Sequence, residues 1–489
     1  MIAKLGVEEL RTLLSTSLPD AQDADTVRPD VTTLFTPDSH RLALNVDTTV
    51  VKGGRGVGKT FWFRSLLEDQ LRAVAADEYR IDRLAHVTAH PGYGADNLPE
   101  HYPGSAELHD LVDRGIDPRH LWDAVLLTTL DVPELKNISS WGERVRWTRE
   151  HPAERDRTIA ETDRQAAADG TLRLVLFDAL EHLHHNRRQA DQLVRGILQL
   201  ALELRLSTRN IRFKVFIRPD MLDGALSFPD ASKLAANAAS LKWSTTNLYG
   251  LLFHYLGNNK NSPVVERFRA AVPGWIEATS ERHLPPPFLL GDEQQQTELF
   301  TAIAGPYMGA NFRKGHTYTW LPNHLMDGAE QVSPRSFLSA LTKAVEETIA
   351  RYAAHEYAIH HEGIRRGVQA ASATRVAEIK EDLPWVPVAI APLTGQQVPI
   401  DESAVIHLWT ESGLTETLRQ QTEYRLEGKA PNGKVRTGPR YPDRYPELIE
   451  ELIELGVMRR RKDGRIDLPD VYRIAFSIGR KGGVPKVKS

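Results

Sequence analysis

In the first half of the chain, segments whose apolar residues have the pattern of a β-strand alternate with segments whose apolar residues have the spacing of an α-helix. The run "NVDTTVVKG" from Asn45 predicts a buried strand, and "TFWFRSLLEDQLRAVAAD" from Thr60 predicts an amphipathic helix. Four later stretches are strand-like and are separated by helix-like segments: "RLAHVTAHP" from Arg83, "LRLVLF" from Leu172, "IRFKVFI" from Ile211 and the short "ASLKW" from Ala239. Strands that alternate with helices predict an α/β fold around a parallel sheet.

The second half of the chain has a different pattern. Residues 262 to about 390 have helical periodicity without strand alternation and predict a helical domain. After a proline-punctuated linker, one apolar helix face is formed by Leu448, Ile449, Leu452 and Leu455. Gly456 ends this helix, and "VMRRRKDGRIDLP" predicts a two-stranded hairpin that turns at Asp463 and Gly464. A helix followed by such a hairpin resembles a winged helix.

The first strand and the following helix are joined by "GGRGVGKT", which matches the spacing G-x-x-x-x-G-K-[ST]. In such a loop the backbone N–H groups turn inward around a phosphate, and the helix directs its positive dipole end at the same anion. We expect Lys59 to reach the β- and γ-phosphates and the Thr60 hydroxyl to ligate Mg²⁺. The alternative is a glycine-rich turn without a ligand. The residues expected to contact nucleotide, by default ATP, are Gly53, Gly54, Arg55, Gly56, Val57, Gly58, Lys59 and Thr60.

The strand-like run from Leu172 ends in Asp178, with Glu181 three residues later. A buried parallel strand delivers a carboxylate at its carboxyl end, where ligands bind in open α/β sheets. We therefore predict that Asp178 holds Mg²⁺ through water and that Glu181 is the general base for an attacking water. The alternatives are that Asp178 caps a helix and that Glu181 is an ordinary first-turn acid.

The next strand-like run ends in Arg218, followed by Asp220. If this strand lies beside the one that ends in Asp178, Arg218 comes close to the γ-phosphate. A guanidinium there distinguishes a triphosphate from a diphosphate, because it pairs bidentately with terminal oxygens. The alternative is an ion pair between Arg218 and Asp220 or another neighbour.

Together these motifs resemble the additional-strand P-loop NTPases, which include the AAA+ proteins and the STAND signalling ATPases. The segments "GGRGVGKT", "LVLFDALE", "FKVFIRPD" and "SPRSFL" are most similar to bacterial ATPases often found among anti-phage defence genes. The resemblance covers roughly residues 47–341. It implies an ATPase fold with Lys59, Asp178, Glu181 and Arg218 as catalytic residues and with ATP and Mg²⁺ as ligands.

The sequence departs from ring-forming AAA+ ATPases at one point. These proteins carry an arginine finger between the sensor strand and the fifth strand, but residues 219–243 contain no arginine. In the STAND group an arginine at the end of the sensor strand is usual, and Arg218 matches it. The resemblance therefore implies a nucleotide switch with slow hydrolysis.

Four segments follow from these patterns: an N-terminal helical segment (1–40), a P-loop NTPase domain (41–261), a helical lid domain (262–390) and a basic winged-helix-like domain (404–489). In the predicted lid, Ser333 and Pro334 are suited to start a long helix as N-cap and first helical residue. Arg335 then lies in the first turn, where a cation opposes the helix dipole. We predict that Arg335 is a sensor-2 arginine that contacts the nucleotide; the alternative is an exposed or ion-paired arginine.

Composition excludes several classes of protein. The chain has 489 residues, of which 41% are hydrophobic and 26% are charged, as in ordinary globular proteins. No apolar run approaches the roughly 18–20 residues that cross a bilayer, and the N-terminus has no signal-peptide pattern. The absence of cysteine excludes disulfides and thiolate zinc sites and is compatible with a cytoplasmic location. The histidine groups "EHLHH" and "HEYAIHH" lack the spacing of a metal site and predict surface histidines.

Charge is distributed unevenly. From Arg425 to Ser489 there are 16 Lys/Arg and 9 Asp/Glu, a balance of +7, whereas the whole chain has a net charge of −4. A basic C-terminal domain indicates an anionic partner. The expected contacts to duplex DNA are the wing residues Arg459, Arg460, Arg461, Lys462 and Arg465. The helix "ELIEELIE" is too acidic for a major groove, so these contacts would be to phosphates. The alternative is a protein partner.

Two functional hypotheses follow. The first is an ATP-hydrolysing switch or remodeller of the AAA+/STAND type that senses DNA or a partner through its basic domain. The second is a non-hydrolysing adaptor that binds nucleotide and acts through protein contacts. A homo-oligomer or a protein effector is compatible with either hypothesis, and neither involves a membrane.

Overall fold

The computed structural model describes residues 5–19, 28–184, 186–426 and 438–482. The chain folds into two compact units. We call Asp38–Leu241 the sheet unit, and Met1–Pro37 together with Lys242–Ser489 the helical unit. The domain boundaries predicted at residues 40, 261, 390 and 404 remain predictions.

The sheet unit contains five parallel strands, which confirms the predicted α/β fold with a parallel sheet. The strands are β1 (Val50–Lys52), β2 (Val87–Tyr93), β3 (Leu172–Phe177), β4 (Ile211–Ile217) and β5 (Ala239–Ser240). Their order across the sheet is β2-β3-β4-β1-β5. Strand β4 thus separates β1, which leads into the glycine-rich loop, from β3, which ends before Asp178. This is the additional strand that the resemblance implied.

Strands β3 and β4 form the centre of the sheet. Consecutive residues of β3, from Leu174 to Phe177, are buried, and Val175 is in register with Phe213 of β4. Burial of consecutive residues means that both faces of these strands are covered, which explains their continuous apolar sequences.

Lys214 is a buried cation within β4. Its ammonium group donates hydrogen bonds to the carbonyl oxygens of Ala43 (2.6 Å), Asn45 (2.9 Å) and Thr48 (2.9 Å). Burial lowers the pKa of Lys214 to about 7. All three donors of the ammonium are thus used to attach the segment before β1 to the central strand β4.

The strands of the sheet unit are connected by helices. Their bounds are Arg41–Leu44, Lys59–Leu67, Asp69–Tyr79, Asp82–Ala85, Ser105–Asp113, Pro118–Thr129, Pro133–Lys136, Trp141–Glu150, Pro152–Ala168, Arg187–Ser207, Pro219–Ala225 and Ala231–Ala236, with 3₁₀ turns at Asp38–His40 and Leu180–His182. The predicted helix from Asp117 begins with Asp117 as its N-cap and Pro118 as its first residue, and its apolar face joins the core under the sheet.

The helical unit contains two long helices that pack against each other, Pro334–Arg351 and His361–Asp382. The other helices are Val7–Ser17, Thr245–Asn258, Val265–Ala271, Phe288–Gly291, Glu293–Ala304, Thr317–Leu325, Trp385–Ile390, Glu402–Glu411, Leu414–Leu426, Tyr445–Glu454 and Asp470–Arg473, with 3₁₀ turns at Phe312–Lys314 and Ala391–Leu393. The prediction that residues 262–390 lack strands is wrong in one place, because β6 (Ile276–Thr279) and β7 (Arg282–Leu284) form an antiparallel hairpin. Neither strand has the sustained apolar alternation that would have predicted it.

The C-terminal part of the helical unit has its own hydrophobic core, which includes the buried Trp385 and Trp409. The remaining strands are β8 (Gln397–Val398), β9 (Arg459–Arg460), β10 (Ile466–Asp467) and β11 (Gly479–Arg480). Strands β9 and β10 form the hairpin that the sequence predicted. Gly456 and Gly464 both have positive φ values, 70° and 83°, which explains glycine at the helix end and at the turn. Within the described chain, no helix is long and apolar enough to cross a membrane.

Candidate nucleotide site

The loop between β1 and the helix Lys59–Leu67 has the geometry that its glycines predict. Gly53 begins the loop by donating a backbone hydrogen bond to Ile217 at the end of β4 (3.0 Å). A Cβ at position 53 would lie 2.6 Å from Cγ2 of Val57, so only glycine permits this close return of the chain. Gly56 and Gly58 have φ values of 74° and 101°, in the left-handed region that favours glycine.

Lys59 is buried inside this loop. Its ammonium group donates to the carbonyl oxygens of Gly53 (3.1 Å) and Gly54 (2.9 Å). Burial lowers the pKa of Lys59, and the carboxylates of Glu181 and Asp178 oppose this effect. The lysine of the loop and the two predicted acids are therefore close enough to interact electrostatically.

Asp178 follows the last residue of β3 and is held by its backbone, because its N–H donates to the Tyr93 carbonyl of β2 (3.0 Å). Its side chain is buried, and no described residue gives either carboxylate oxygen a hydrogen bond of normal geometry. Burial raises the pKa of Asp178 to about 6, and Glu181 adds to the rise; Lys59, the Thr60 hydroxyl and the Ala179 N–H oppose it. The alternative of a helix cap is not observed, since the next long helix is capped by Asn186.

A buried carboxylate without a strong donor is a suitable ligand for a cation. The hydroxyl of Thr60 lies near Asp178, and hydroxyl and carboxylate oxygens are the donors that Mg²⁺ prefers. No group of three or more His, Asp or Glu side chains in the described chain is arranged to hold a metal alone. Thr60 and Asp178 thus fit a cation that is shared with phosphate oxygens, as Mg²⁺ is in nucleotide sites.

Glu181 reaches the site through an irregular turn. Ala179 has a left-handed φ of 55°, and Leu180–His182 form a 3₁₀ turn. Burial raises the pKa of Glu181, but Lys59 and Arg218 more than offset this, so its net pKa is lowered and the carboxylate is ionised at neutral pH. Glu181 is an acid in the first turn of this 3₁₀ segment, whereas the following α-helix begins only at Arg187, so the alternative of an ordinary first-turn acid stays open.

Arg218 follows β4 and donates from Nε to Asp220 (3.2 Å). The ion pair that the sequence allowed as an alternative is thus present. Arg218 is also close enough to lower the pKa of both Lys59 and Glu181. Asp220, which the sequence did not predict as a site residue, is a further carboxylate that acts on Lys59. Its position shortly after β4, the predicted sensor strand, could have identified Asp220 as a site residue from the sequence.

Arg335 lies in the helical unit, at the start of the helix Pro334–Arg351. The predicted cap is present, since the Ser333 hydroxyl accepts from the Ser336 N–H (3.4 Å) and Pro334 is the first helical residue. The guanidinium pairs with Glu378 (3.0 Å), which was the alternative to a nucleotide contact. The sensor-2 role of Arg335 remains a prediction.

Neither histidine group belongs to a cluster of three or more possible metal ligands among the described residues. The expectation that they bind no metal stays a prediction. His184, however, is buried against His109, with 4.6 Å between the ring centroids, so it is not the surface residue that the sequence indicated. His361 stacks on His360, and His355 makes an edge-on contact with the same ring. His185 lies outside the described residues.

The arginines of the β9–β10 hairpin are neutralised by carboxylates of the same unit. Arg459 is only 9% exposed and donates two hydrogen bonds to the buried Asp467 (3.1 and 2.6 Å). Arg461 also pairs with Asp467, Arg460 with Glu402 and Glu450, and Arg465 with Asp463. Of the predicted wing cations, Lys462 alone has no ion pair with a described residue. A phosphate would have to compete with these carboxylates for the arginines, and the contact to duplex DNA through the wing stays a prediction.

Arg459 is consequently expected to stabilise the fold. Arg459→Ala should lower the free energy of unfolding by about 1.5–3 kcal/mol, because it removes two charge-assisted hydrogen bonds to Oδ2 of the buried Asp467, which keeps Arg461 and Arg480 as partners. Urea unfolding followed by tryptophan fluorescence measures this effect, since Trp385 and Trp409 lie in the same core. The matched variant Arg465→Ala removes an exposed, ion-paired arginine and should leave the midpoint unchanged. Equal midpoints for the two variants would contradict the structural role of Arg459.

The raised pKa of Asp178 predicts that this residue destabilises the nucleotide-free protein. The change from the ordinary value of 3.8 to about 6 corresponds to about 3 kcal/mol. This cost is absent below the unfolded pKa and is fully present once the pH exceeds about 6. Asp178→Asn should therefore raise the free energy of unfolding by up to about 3 kcal/mol at about pH 7.5, and by much less at about pH 4. Urea unfolding at the two pH values measures this, with the exposed Asp131→Asn as control; equal effects at both pH values would contradict it.

No protein-family model and no curated protein matches this sequence. Among solved structures, the chain is similar to that of the Aeropyrum pernix ORC2 protein in its ADPNP–ADP complexes. The two chains share 14% sequence identity, the alignment covers 89% of this chain and 88% of the other, and the TM-score is 0.36.

Proposed function

We propose that this protein is an Mg²⁺-dependent ATPase of the additional-strand P-loop class that acts as a nucleotide switch. The proposal rests on one observation: Lys59, held in its glycine loop, lies close to Asp178. The carboxylate of Asp178 is buried and accepts no hydrogen bond of normal geometry from a described residue. A glycine loop alone occurs in many turns. A glycine loop whose lysine approaches such a carboxylate at the end of a parallel strand is typical of phosphoryl transfer.

In the proposed mechanism, the backbone N–H groups of the loop bind the phosphates and Lys59 neutralises the β- and γ-phosphate charge. Thr60 and Asp178 are the residues that would hold Mg²⁺, which supplies further neutralisation of the phosphate oxygens when bound. Glu181 orients a water molecule and accepts its proton while the water oxygen bonds to the γ-phosphorus. The bond from the γ-phosphorus to the bridging oxygen breaks, and that oxygen leaves with ADP.

In this proposal, Arg218 is the residue that distinguishes bound triphosphate from bound diphosphate. Its guanidinium pairs with Asp220 beside the site. We propose that a γ-phosphate competes with Asp220 for Arg218 and that this exchange separates the triphosphate from the diphosphate state. We also propose Arg335 as the sensor-2 residue, which would have to exchange Glu378 for nucleotide.

The proposal also includes a biological role and a partner for the protein. We assign the protein to the AAA+/STAND switches and, through the motif resemblance, to anti-phage defence. Its partner would be duplex DNA or an acidic protein at the C-terminal domain, with Lys462 as the wing cation that has no ion pair among the described residues. A plaque assay with wild-type protein and an inactive Lys59→Ala variant tests the defence role. Equal protection by both would contradict a nucleotide-dependent function in defence.

Phosphate release by the purified protein tests the proposed activity directly. We expect slow hydrolysis of ATP that requires Mg²⁺ and stops when a chelator is added. Asp178→Asn, which keeps the side-chain shape but loses the charge, should also stop it. Binding of ATP without any release of phosphate would favour the adaptor hypothesis instead. No binding of ATP would contradict both hypotheses.

A further inference from the structure

The helical unit presents an exposed aromatic side chain on a short loop. Residues 309–315, which we call the 309–315 loop, connect the helices Glu293–Ala304 and Thr317–Leu325. Phe312 in this loop is 65% exposed, the largest value for a big hydrophobic side chain in the described part of the chain. Arg313 and Lys314 follow it and are exposed as well. Most of the Phe312 ring is therefore accessible to solvent, so a flat ligand can reach it.

The base of the loop is closed by backbone pairing. Tyr307 and His316 form an antiparallel bridge, and the Met308 N–H donates to the Gly315 carbonyl (2.9 Å). At the tip, Phe312–Lys314 form a 3₁₀ turn that is capped by the side chain of Asn311. The ring and the two cations are therefore presented on an ordered turn, which lowers the entropy cost of binding.

The cations of this loop differ from those of the β9–β10 hairpin. Neither Arg313 nor Lys314 forms an ion pair with a described residue, whereas four of the hairpin's five cations do. The surrounding sequence is also free of acids: residues 299–326 contain no Asp or Glu, although the chain has 65 of them among 489 residues. A further guanidinium, that of Arg365, donates to the Met308 carbonyl at the base of the loop (3.1 Å), and it pairs with Glu362. The tip therefore carries two adjacent cations for which no ion pair with a described carboxylate is present.

We infer that the 309–315 loop binds single-stranded nucleic acid. Phe312 would stack on an unpaired base, and Arg313 and Lys314 would contact the adjacent phosphates. An exposed ring flanked by unneutralised cations has both properties that single strands require, a stacking surface and a positive track for the backbone. The bases of a duplex are already stacked on each other, so a single ring on a short turn has no face to contact there.

A membrane surface is a weaker match to this loop. Peripheral membrane binding requires an apolar face of several residues that enters the headgroup region. The loop tip carries one large apolar side chain, and its neighbours Ala310 and Asn311 are small or polar. The inference goes beyond the proposed ATPase activity and does not depend on it, since none of the loop residues belongs to the candidate nucleotide site.

Fluorescence anisotropy with a labelled oligothymidine of about 20 nucleotides tests the inference in the full-length protein. Phe312→Ala should weaken binding by about fivefold to 150-fold, which corresponds to the loss of one base–aromatic stack. Phe312→Trp should retain binding, because tryptophan also stacks. In Arg313→Ala/Lys314→Ala, the slope of log affinity against log salt should become shallower by about 1.4, since each lost contact to a single strand contributes about 0.7.

The controls change equivalent side chains elsewhere. Leu206 is 64% exposed, and Leu206→Ala removes a similar apolar group from the sheet unit. Lys136→Ala/Arg149→Ala removes two exposed cations that are paired with Asp131 and Glu150. Both controls should bind the oligonucleotide like the wild type. The inference is overturned if the wild type shows no salt-dependent binding or if Phe312→Ala binds equally well. It is also overturned if the loop variants lose affinity only for vesicles that contain phosphatidylserine.

Discussion

Glu181→Gln is expected to leave ATP bound while turnover falls by about a hundredfold or more. Glutamine preserves the shape of the side chain but cannot accept the proton of the attacking water, and general-base catalysis contributes about 10²–10⁴ to a rate. The structure supports an ionised Glu181, because Lys59 and Arg218 lower its pKa in spite of its burial. The carboxylate is thus in the form that a base requires at neutral pH.

Two measurements on the same preparation separate binding from chemistry. Equilibrium binding of a fluorescent ATP analogue should change less than about threefold in Glu181→Gln, since the glycine loop and Lys59 supply the phosphate contacts. Phosphate release under saturating ATP and Mg²⁺ gives the change in turnover. Glu134→Gln, an exposed glutamate of the same unit, is the matched control and should behave like the wild type. Unchanged turnover in Glu181→Gln would mean that another group is the base.

Lys59→Ala is expected to weaken ATP binding by about tenfold or more. A hydrogen bond between charged groups contributes about 1.5–3 kcal/mol, which corresponds to roughly tenfold to 150-fold in affinity. The loss should exceed that for an exposed lysine, because Lys59 lies in a site shielded from water, where electrostatic interactions are stronger. The variant also removes the cation that lowers the pKa values of Asp178 and Glu181.

Comparing the ATP affinity of Lys59→Ala with that of the wild type requires that the variant folds. The urea midpoint and the far-UV spectrum of Lys59→Ala should be measured beside those of Lys233→Ala, which removes an exposed lysine paired with Asp230. Lys233→Ala should bind ATP like the wild type. A folded Lys59→Ala protein with near wild-type affinity would contradict the assignment of the glycine loop.

The sequence predicted those parts of the site that depend on adjacent residues or on the ends of neighbouring strands. Gly53, Gly58, Lys59 and Thr60 are contiguous with one turn and one helix start, so their spacing specifies the loop geometry directly. Asp178 and Arg218 follow long apolar runs, and parallel strands place their carboxyl ends at one edge of the sheet. Periodicity therefore predicted that both residues lie at this edge, and the pairing of β3 with β4 brings them together.

Other features depended on the path of the chain or on partners distant in sequence. Glu181 lies on a 3₁₀ turn after a left-handed Ala179, a conformation that alanine does not signal. Asp220 entered the site because β4 lies between β1 and β3, and that order is not a local property.

The sequence by itself determined the succession of strands and helices along the sheet unit, the glycine loop and the acid after β3. Each of these follows from the periodicity or the conformational limits of a few adjacent residues. Only the tertiary structure decided which charges are available to a ligand. The arginines of the β9–β10 hairpin looked free in the sequence, yet Arg460 is neutralised by Glu402, 58 positions away. Arg313 and Lys314 have no such partner among the described residues. A charge pattern shows where cations lie along the chain, but folding brings the carboxylates to them, and only the folded arrangement sets the net field at a surface.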